Sequence, residues 1–177
     1  MQIIEFPEFR QTFDYDCGAK TMHAMLAYYG IDVNEIDLIK IADTNDHHGT
    51  PLAGLEKIAQ HFGLKYHAKK MTIDDLKKYI DRQQPVILML QAWPKRKVHN
   101  WSKHWSSGHF AIAIGYDQKK IYFEDPAVTI KTYLEFSELM KRWHDVDTHS
   151  DKKYYNLGIV ISGKQKVYSA KRITHMD

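Results

Sequence analysis

The stretch RQTFDYDCGAKTMHAMLAYYG, Arg10 to Gly30, contains the only cysteine of the chain, Cys17. Apolar residues follow Cys17 at spacings of three and four, and Gly30 stands where a helix commonly ends. The pattern therefore predicts a helix that begins at Cys17. A helix N-terminus carries unpaired N–H groups and the positive end of the helix dipole, and both favour a thiolate. Cys17 is thus a candidate nucleophile; the alternative is a buried structural cysteine.

The composition is typical of one soluble globular domain. The chain has 177 residues, of which 44% are apolar and 27% charged, enough for a sizeable core. A single cysteine excludes an intrachain disulfide, and the N-terminus lacks the pattern of a secretory signal. We therefore expect a cytoplasmic protein, or an effector exported without a cleaved signal. We expect one domain over residues 1–177, with its core at about 6–161 and a loosely ordered basic tail at 163–177.

Helical periodicity dominates the first half of the chain and strand patterns the second. Further helices are predicted around Ile36–Ile41, Thr50–Gly63, Thr72–Ile80 and Phe136–Trp143. Strands are predicted at PVILML, His109–Asp117, Lys120–Pro126 and Tyr154–Ser162. Helices first and antiparallel strands second predict an α+β fold, in which N-terminal helices pack on a C-terminal sheet.

A reactive cysteine needs a base within hydrogen-bond reach and a third group that orients the base. His109 opens one predicted strand and Asp125 closes the next, each eight residues from Asp117 in the turn between them. Because the start of one hairpin strand faces the end of the other, we expect His109 and Asp125 to face each other across the ladder. The alternatives are a surface histidine and a routine Asp-Pro turn.

Two more residues near Cys17 are candidates for the site. Gln11 lies six residues earlier, and its amide can donate to the oxygen of a tetrahedral intermediate beside the backbone N–H of Cys17. Loss of one such donor typically costs about 10²–10³ in rate. Gly18 has no side chain, so a substrate backbone can approach the sulfur closely. Alternatively, Gln11 is an ordinary surface residue.

These motifs resemble, in combination and order, those of a known family. QTFDYDCGAKTMHAMLAYYG is similar to the Q-x5-C-G segment of the papain-like double-glycine peptidases, the bacteriocin-processing cysteine endopeptidases. GTPLAGLEKIAQHFGLKYHA, PVILML, GHFAIAIGYDQKKIYFEDPA and FSELMKRWHDVD resemble their later blocks. The resemblance covers the chain from about Phe6 to Ile161.

The resemblance implies a papain-like fold and a set of roles. Cys17 would be the nucleophile, His109 the general base and acid, Asp125 the orienting carboxylate and Gln11 the oxyanion donor. The chain departs from many members by having Ala19 where they have proline. The best-known members are fused to a transporter and cleave leader peptides after Gly-Gly. We find no transporter domain in this sequence, so we expect a stand-alone member without leader processing.

The segment QAWPKRKVHNWSKHWSSG, residues 91–108, reads as an insertion between two strands. Its tryptophans, Trp93, Trp101 and Trp105, precede His109, so we expect the segment to overhang the cleft and, with Gly108, to bind substrate. The lysines would attract an acidic peptide. The alternatives are tryptophans folded back onto the core, a solvated loop, or a polyanion site.

The expected activity is cleavage of a peptide or isopeptide bond by Cys-His-Asp acyl transfer. A deamidase or acyl transferase with the same residues, or a non-catalytic peptide-binding module, is the alternative. We expect no metal and no cofactor, because the histidines lack ligand spacing with a cysteine pair. A peptide or protein is the expected partner. Nucleic acid is not, and the longest apolar run is too short for a membrane span.

Overall fold

A computed structural model describes residues 1–176 as five helices packed against a large antiparallel sheet. The helices are α1 (Cys17–Tyr28), α2 (Glu35–Ile41), α3 (Leu52–His61), α4 (Ile73–Asp81) and α5 (Phe136–Arg142), with a 3₁₀ turn at Trp101–Lys103. The strands are β1 (Gln2–Ile3), β2 (Lys65–Lys70), β3 (Val86–Gln91), β4 (Gly108–Tyr116), β5 (Lys120–Glu124), β6 (Thr132–Glu135), β7 (His144–Asp147), β8 (Lys152–Tyr155) and β9 (Leu157–Ser162). The α+β class is confirmed.

The main sheet has the strand order β2-β9-β3-β4-β5-β6, and β1 also pairs with β4. All its pairs are antiparallel. Strands β7 and β8 form a separate hairpin. The central strands β3 and β4 are buried almost throughout, which explains why their sequences read as continuous apolar runs.

Helix α1 begins at Cys17, as the sequence predicts, and Gly30 follows it with φ of +74°. Helix α3 begins at Leu52, two residues after Thr50, where the prediction placed its start. The Thr50 hydroxyl instead accepts a hydrogen bond from the backbone N of Ala19 at 3.1 Å. Thr50 therefore satisfies a donor in the first turn of α1.

The predicted strand Tyr154–Ser162 is wrong as a single element. Asn156 has φ of +55° and separates β8 from β9, and asparagine is one of the few residues that tolerate this conformation. Within the predicted tail, the backbone N of Val167 donates to Tyr28 O at 3.0 Å. The Val167 side chain packs against Gly30.

The first turn of α1 lies directly over the beginning of β4. A Cβ added to Gly18 would be 2.6 Å from Thr50 Cβ and 3.0 Å from the Phe110 ring. Only a glycine allows this approach without displacing a neighbour. The packing brings the N-terminus of α1 beside the second residue of β4, His109.

Candidate active site

Cys17 is partly exposed and lines a pocket of about 300 Å³ together with His109. It is the first residue of α1, so its sulfur lies where the unpaired N–H groups of the helix concentrate. The alternative of a sealed structural cysteine does not describe this position.

His109 and Asp125 form a buried pair, with His109 Nε2 and Asp125 Oδ1 2.7 Å apart. Their side chains are 7% and 5% exposed. Cys17 lines the same pocket as His109, and its interaction with the ring raises the pKa of His109. Since Nε2 faces the carboxylate, Nδ1 is the ring nitrogen that remains for the sulfur.

The predicted register between His109 and Asp125 is wrong, although the two side chains meet. The ladder pairs Ile112 with Glu124, and a bulge interrupts it between Ala113 and Gly115. Asp125 therefore follows the last paired residue of β5, while His109 lies three residues before Ile112 on β4. The main cause is the position of the turn: Tyr116 pairs with Ile121, so the turn is centred between Gln118 and Lys119 and not at Asp117. The bulge shifts the pairing by one residue in the opposite sense.

The electrostatics of the pair favour an imidazolium beside a carboxylate. Burial disfavours the charged ring, but its interactions with Asp125 and Cys17 outweigh burial and raise the pKa of His109 to about 10. Burial likewise opposes ionisation of Asp125, yet hydrogen bonds from His109, Ala127 and Trp93 hold its pKa below the ordinary value. The cation on His109 is thus retained throughout the neutral range.

Trp93 is hydrogen-bonded to the pair and also lines the cleft. Its Nε1 donates to Asp125 Oδ2 at 3.0 Å, and its backbone has φ of +51°. About half of the Trp93 surface remains exposed. Because the indole is hydrogen-bonded to Asp125, it separates the carboxylate from solvent on that side. This contact exists only in the folded chain, because 32 residues separate the two.

The other two tryptophans of the loop fold back onto the protein. The guanidinium carbon of Arg142 lies 3.7 Å from the centroid of the Trp101 ring. Among the described residues, Trp101 lines neither the pocket of Cys17 nor the larger pocket beside it. Trp105 packs against the ring of His144 with centroids 4.4 Å apart, and it lines the smaller pocket. Of the predicted aromatic anchors, Trp105 and Trp93 therefore line the cleft, Trp105 in this pocket and Trp93 in the larger one.

Gln11 lines a larger pocket of about 1000 Å³, which also includes His109. Its Nε2 donates to Phe13 O at 2.7 Å, and its Oε1 is buried without a partner among the described residues. One of the two amide hydrogens of Gln11 is used in this bond, and the other remains to donate to a second acceptor. The predicted role as an oxyanion donor stays a prediction.

The loop that carries Gln11 is held by Asp16. Asp16 Oδ2 accepts hydrogen bonds from the backbone N of Thr12 and of Phe13, at 3.3 and 3.2 Å. The backbone N of Gln11 donates to Pro126 O at 2.8 Å. These bonds connect the loop before the cysteine to the segment that follows Asp125.

The two glycines serve packing that the sequence alone does not reveal. Gly18 is buried against Thr50 and Phe110, so protein occupies the space predicted for a substrate backbone. Gly108 is exposed and lines both pockets. A Cβ on Gly108 would overlap the carboxylate of Asp145. Asp145 also lines the cleft, and no local sequence pattern marks it.

Among residues 1–176 no group of three or more His, Cys, Asp or Glu side chains is arranged to hold a metal ion. Over the same range, the helices are all too short or too polar to cross a bilayer.

The sequence matches the model of the peptidase C39 family over residues 5–148. The chain belongs to the peptidase C39 family. The predicted resemblance to double-glycine peptidases is thereby confirmed.

The pediocin PA-1 transport/processing ATP-binding protein PedD of Pediococcus acidilactici is 26% identical over 137 residues, which cover 77% of this chain and 17% of PedD. This C39 chain thus spans less than a fifth of that relative. An uncharacterised protein of Methanothermobacter thermautotrophicus is 25% identical, over 68% of this chain and 74% of its own length.

Solved structures of C39 domains share the fold. A double-glycine-motif protease domain from an AMS/PCAT transporter, in complex with a leader peptide, superimposes with a TM-score of 0.63 at 20% identity, covering 90% of this chain and 93% of that one. A C39-like peptidase from Bacillus anthracis gives 0.66 at 17% identity, covering 94% and 100%. The papain-like α+β fold is confirmed.

Proposed function

We propose that this C39 protein is a cysteine peptidase in which Cys17 attacks the carbonyl carbon of a peptide or isopeptide bond. The observation that carries the proposal is the buried His109 ring, which hydrogen-bonds to Asp125 and lines the same pocket as Cys17. A base between a nucleophile and an orienting carboxylate is the arrangement that acyl transfer by a thiol requires.

In the proposed reaction the Cys17 thiolate, paired with the His109 imidazolium, adds to the carbonyl carbon. The backbone N–H of Cys17 and the Gln11 amide stabilise the oxyanion. As the carbon–nitrogen bond breaks, His109 gives its proton to the leaving amine, and the acyl group remains on sulfur as a thioester. His109 then takes a proton from water, which attacks the thioester and releases the acid.

The basic segment Lys95–Lys97 supports a preference on the leaving side. These three residues and Arg10 line the larger pocket next to His109, where the leaving amine must receive its proton. A leaving segment with acidic residues would meet this positive wall. Replacing all three with glutamine should raise KM for an acidic leaving segment and leave KM for a neutral one little changed. Equal effects on both would contradict the preference.

Alkylation of Cys17 by iodoacetamide, followed by intact-mass measurement across pH, tests the proposed nucleophile. An isolated thiol reacts appreciably only as the pH approaches about 8.5. We expect modification that persists at pH 6 and is largely lost in His109→Ala. His99→Ala is the matched control, because His99 is exposed and lines the larger pocket but not the smaller pocket that contains Cys17. Reaction in the native protein that rises only at alkaline pH would contradict the proposal.

A peptide library analysed by mass spectrometry then distinguishes a peptidase from a deamidase or an acyl transferase, which would form the same kind of acyl-enzyme. Hydrolysis gives two peptides, deamidation changes a glutamine or asparagine by about one mass unit, and transfer joins the acyl group to an added amine. Cys17→Ala should abolish whichever product forms.

A further inference from the structure

The cleft has two ends, and the proposed reaction assigns each to one part of the substrate. His109 lines both pockets, whereas Cys17 is among the described residues of the smaller pocket and not of the larger. The acyl group becomes bonded to the Cys17 sulfur, so it must occupy the smaller pocket. The leaving amine needs only to reach His109 and departs through the larger one.

The wall of the smaller pocket is formed by the β7–β8 hairpin. Gln91, the last residue of β3, donates from Nε2 to His144 O at 3.3 Å and to Asp145 Oδ1 at 2.7 Å. The His144 ring contacts His104 O at 2.8 Å and packs on Trp105. The hairpin is therefore anchored to both edges of the 92–107 loop and holds Asp145 in place.

Asp145 is a buried carboxylate with one unpartnered oxygen. Only 5% of the residue is exposed. Its Oδ1 accepts hydrogen bonds from Gln91 Nε2 and from the backbone N of Val146. Its Oδ2 accepts none from the part of the chain that the structure describes, and no lysine or arginine in that part forms an ion pair with it. A buried carboxylate is costly unless a proton or a paired cation neutralises it.

Gly108 opens the path between this carboxylate and the nucleophile. Asp145 lies against the Gly108 backbone, where a Cβ would overlap both carboxylate oxygens. Gly108, Asp145 and Cys17 all line the same pocket. A substrate side chain that enters beside Cys17 therefore meets a carboxylate with no intervening side chain at position 108.

We propose that Asp145 binds the cationic side chain of a lysine or arginine on the acyl side of the scissile bond, so that the enzyme selects substrates with a basic residue there. This inference rests on the proposed function, because it takes the position of the acyl group from the attack by Cys17. The recognised chemistry is an ammonium or guanidinium group on a flexible stem.

The charges around Asp145 agree with this role. Burial raises the pKa of Asp145 to about 7, and the nearby Asp147 acts in the same direction. Asp147 also lines the pocket, with its own Oδ2 accepting from Ser150 Oγ at 2.6 Å. The His109 imidazolium lowers the pKa of Asp145 from a distance. A bound cation would supply the direct partner that the folded chain does not provide.

Two pairs of peptidyl chloromethyl ketones test the proposal, since the Cys17 thiolate displaces chloride and leaves the acyl part covalently in its pocket. All four reagents are N-acetylated. One pair carries lysine or norleucine at the first residue before the electrophile, and the other pair carries them at the second. Norleucine has the lysine stem without the ammonium group. The second-order rate of Cys17 modification is measured by intact mass at pH 8.

We expect the native protein to react with the better lysine reagent about 10-fold or more faster than with its norleucine counterpart. Asp145→Asn keeps the acceptor for Gln91 and removes the charge, so the ratio should fall to about one. Asp151→Asn is the matched control, because Asp151 is exposed in the turn of the same hairpin with φ of +55°, which asparagine tolerates. Its ratio should equal that of the native protein.

The outcomes separate the inference from the proposed function. If the native protein reacts equally with lysine and norleucine reagents at both positions, the cation site is refuted while Cys17 remains a nucleophile. The same holds if Asp145→Asn keeps the native ratio. If none of the reagents modifies Cys17, the proposed function fails and the inference fails with it.

Discussion

Replacing Asp125 with asparagine keeps the shape of the side chain and removes the charge beside His109. Two partners, Asp125 and Cys17, raise the pKa of His109 to about 10 against the opposing effect of burial. Loss of Asp125 removes one of these two partners while burial still opposes the charge, so most of the rise in the pKa of His109 should be lost. The change in the protonation equilibrium is roughly 3 to 4 kcal/mol at 1.36 kcal/mol per pK unit.

The raised pKa of His109 determines the pH range over which its charge is lost. The imidazolium is present below the pKa and is lost as pH rises through it, so the native cation persists until about pH 10. In Asp125→Asn the loss should move to roughly neutral pH. At pH 8.5 the variant would then keep a tenth of the cation or less, and kcat/KM should fall roughly 10- to 30-fold relative to its own value at pH 6.

The assay is the pH profile of kcat/KM from pH 5.5 to 9.5 on one cleaved peptide. Circular dichroism at each pH verifies that the variant is folded. Asp117→Asn removes the same charge at the far end of the same hairpin and should overlay the native profile. If Asp125→Asn also overlays the native profile up to pH 9, the carboxylate does not hold the imidazolium and the reasoning is wrong.

Three further substitutions each change one local feature of the fold or of the site. Trp93→Phe removes the donor to Asp125 Oδ2, so we expect kcat to fall a few-fold with KM nearly unchanged; a wild-type kcat would show that the indole N–H has no effect on the pair. Gly18→Ala places a methyl group 2.6 Å from Thr50 Cβ and should lower the free energy of unfolding in urea by about 1–3 kcal/mol. Thr50→Ala in the same chain should restore part of that loss, and an undiminished native stability of Gly18→Ala would contradict the packing. Asn156→Ala should cost about 1 kcal/mol because φ is +55°, whereas Asn156→Gly should cost less in the same measurement.

Local patterns in the sequence were sufficient to identify most of the scaffold and the three residues of the proposed triad. The start of α1 at Cys17 follows from apolar spacing, because that periodicity is set within a few turns of helix. The meeting of His109 and Asp125 follows from a hairpin, in which neighbouring strands are connected by a short turn. Both signals involve residues that are near each other in the chain.

The tertiary structure decided the features that depend on distant segments. The bulge in β4–β5 changes the register, the indole of Trp93 covers Asp125, and the β7–β8 hairpin brings Asp145 to the cleft. Asp145 meets Gln91 across 54 residues, and no local pattern marks such a contact. Composition and periodicity determine which face of an element is buried, whereas the neighbours it finds there depend on how the whole chain packs.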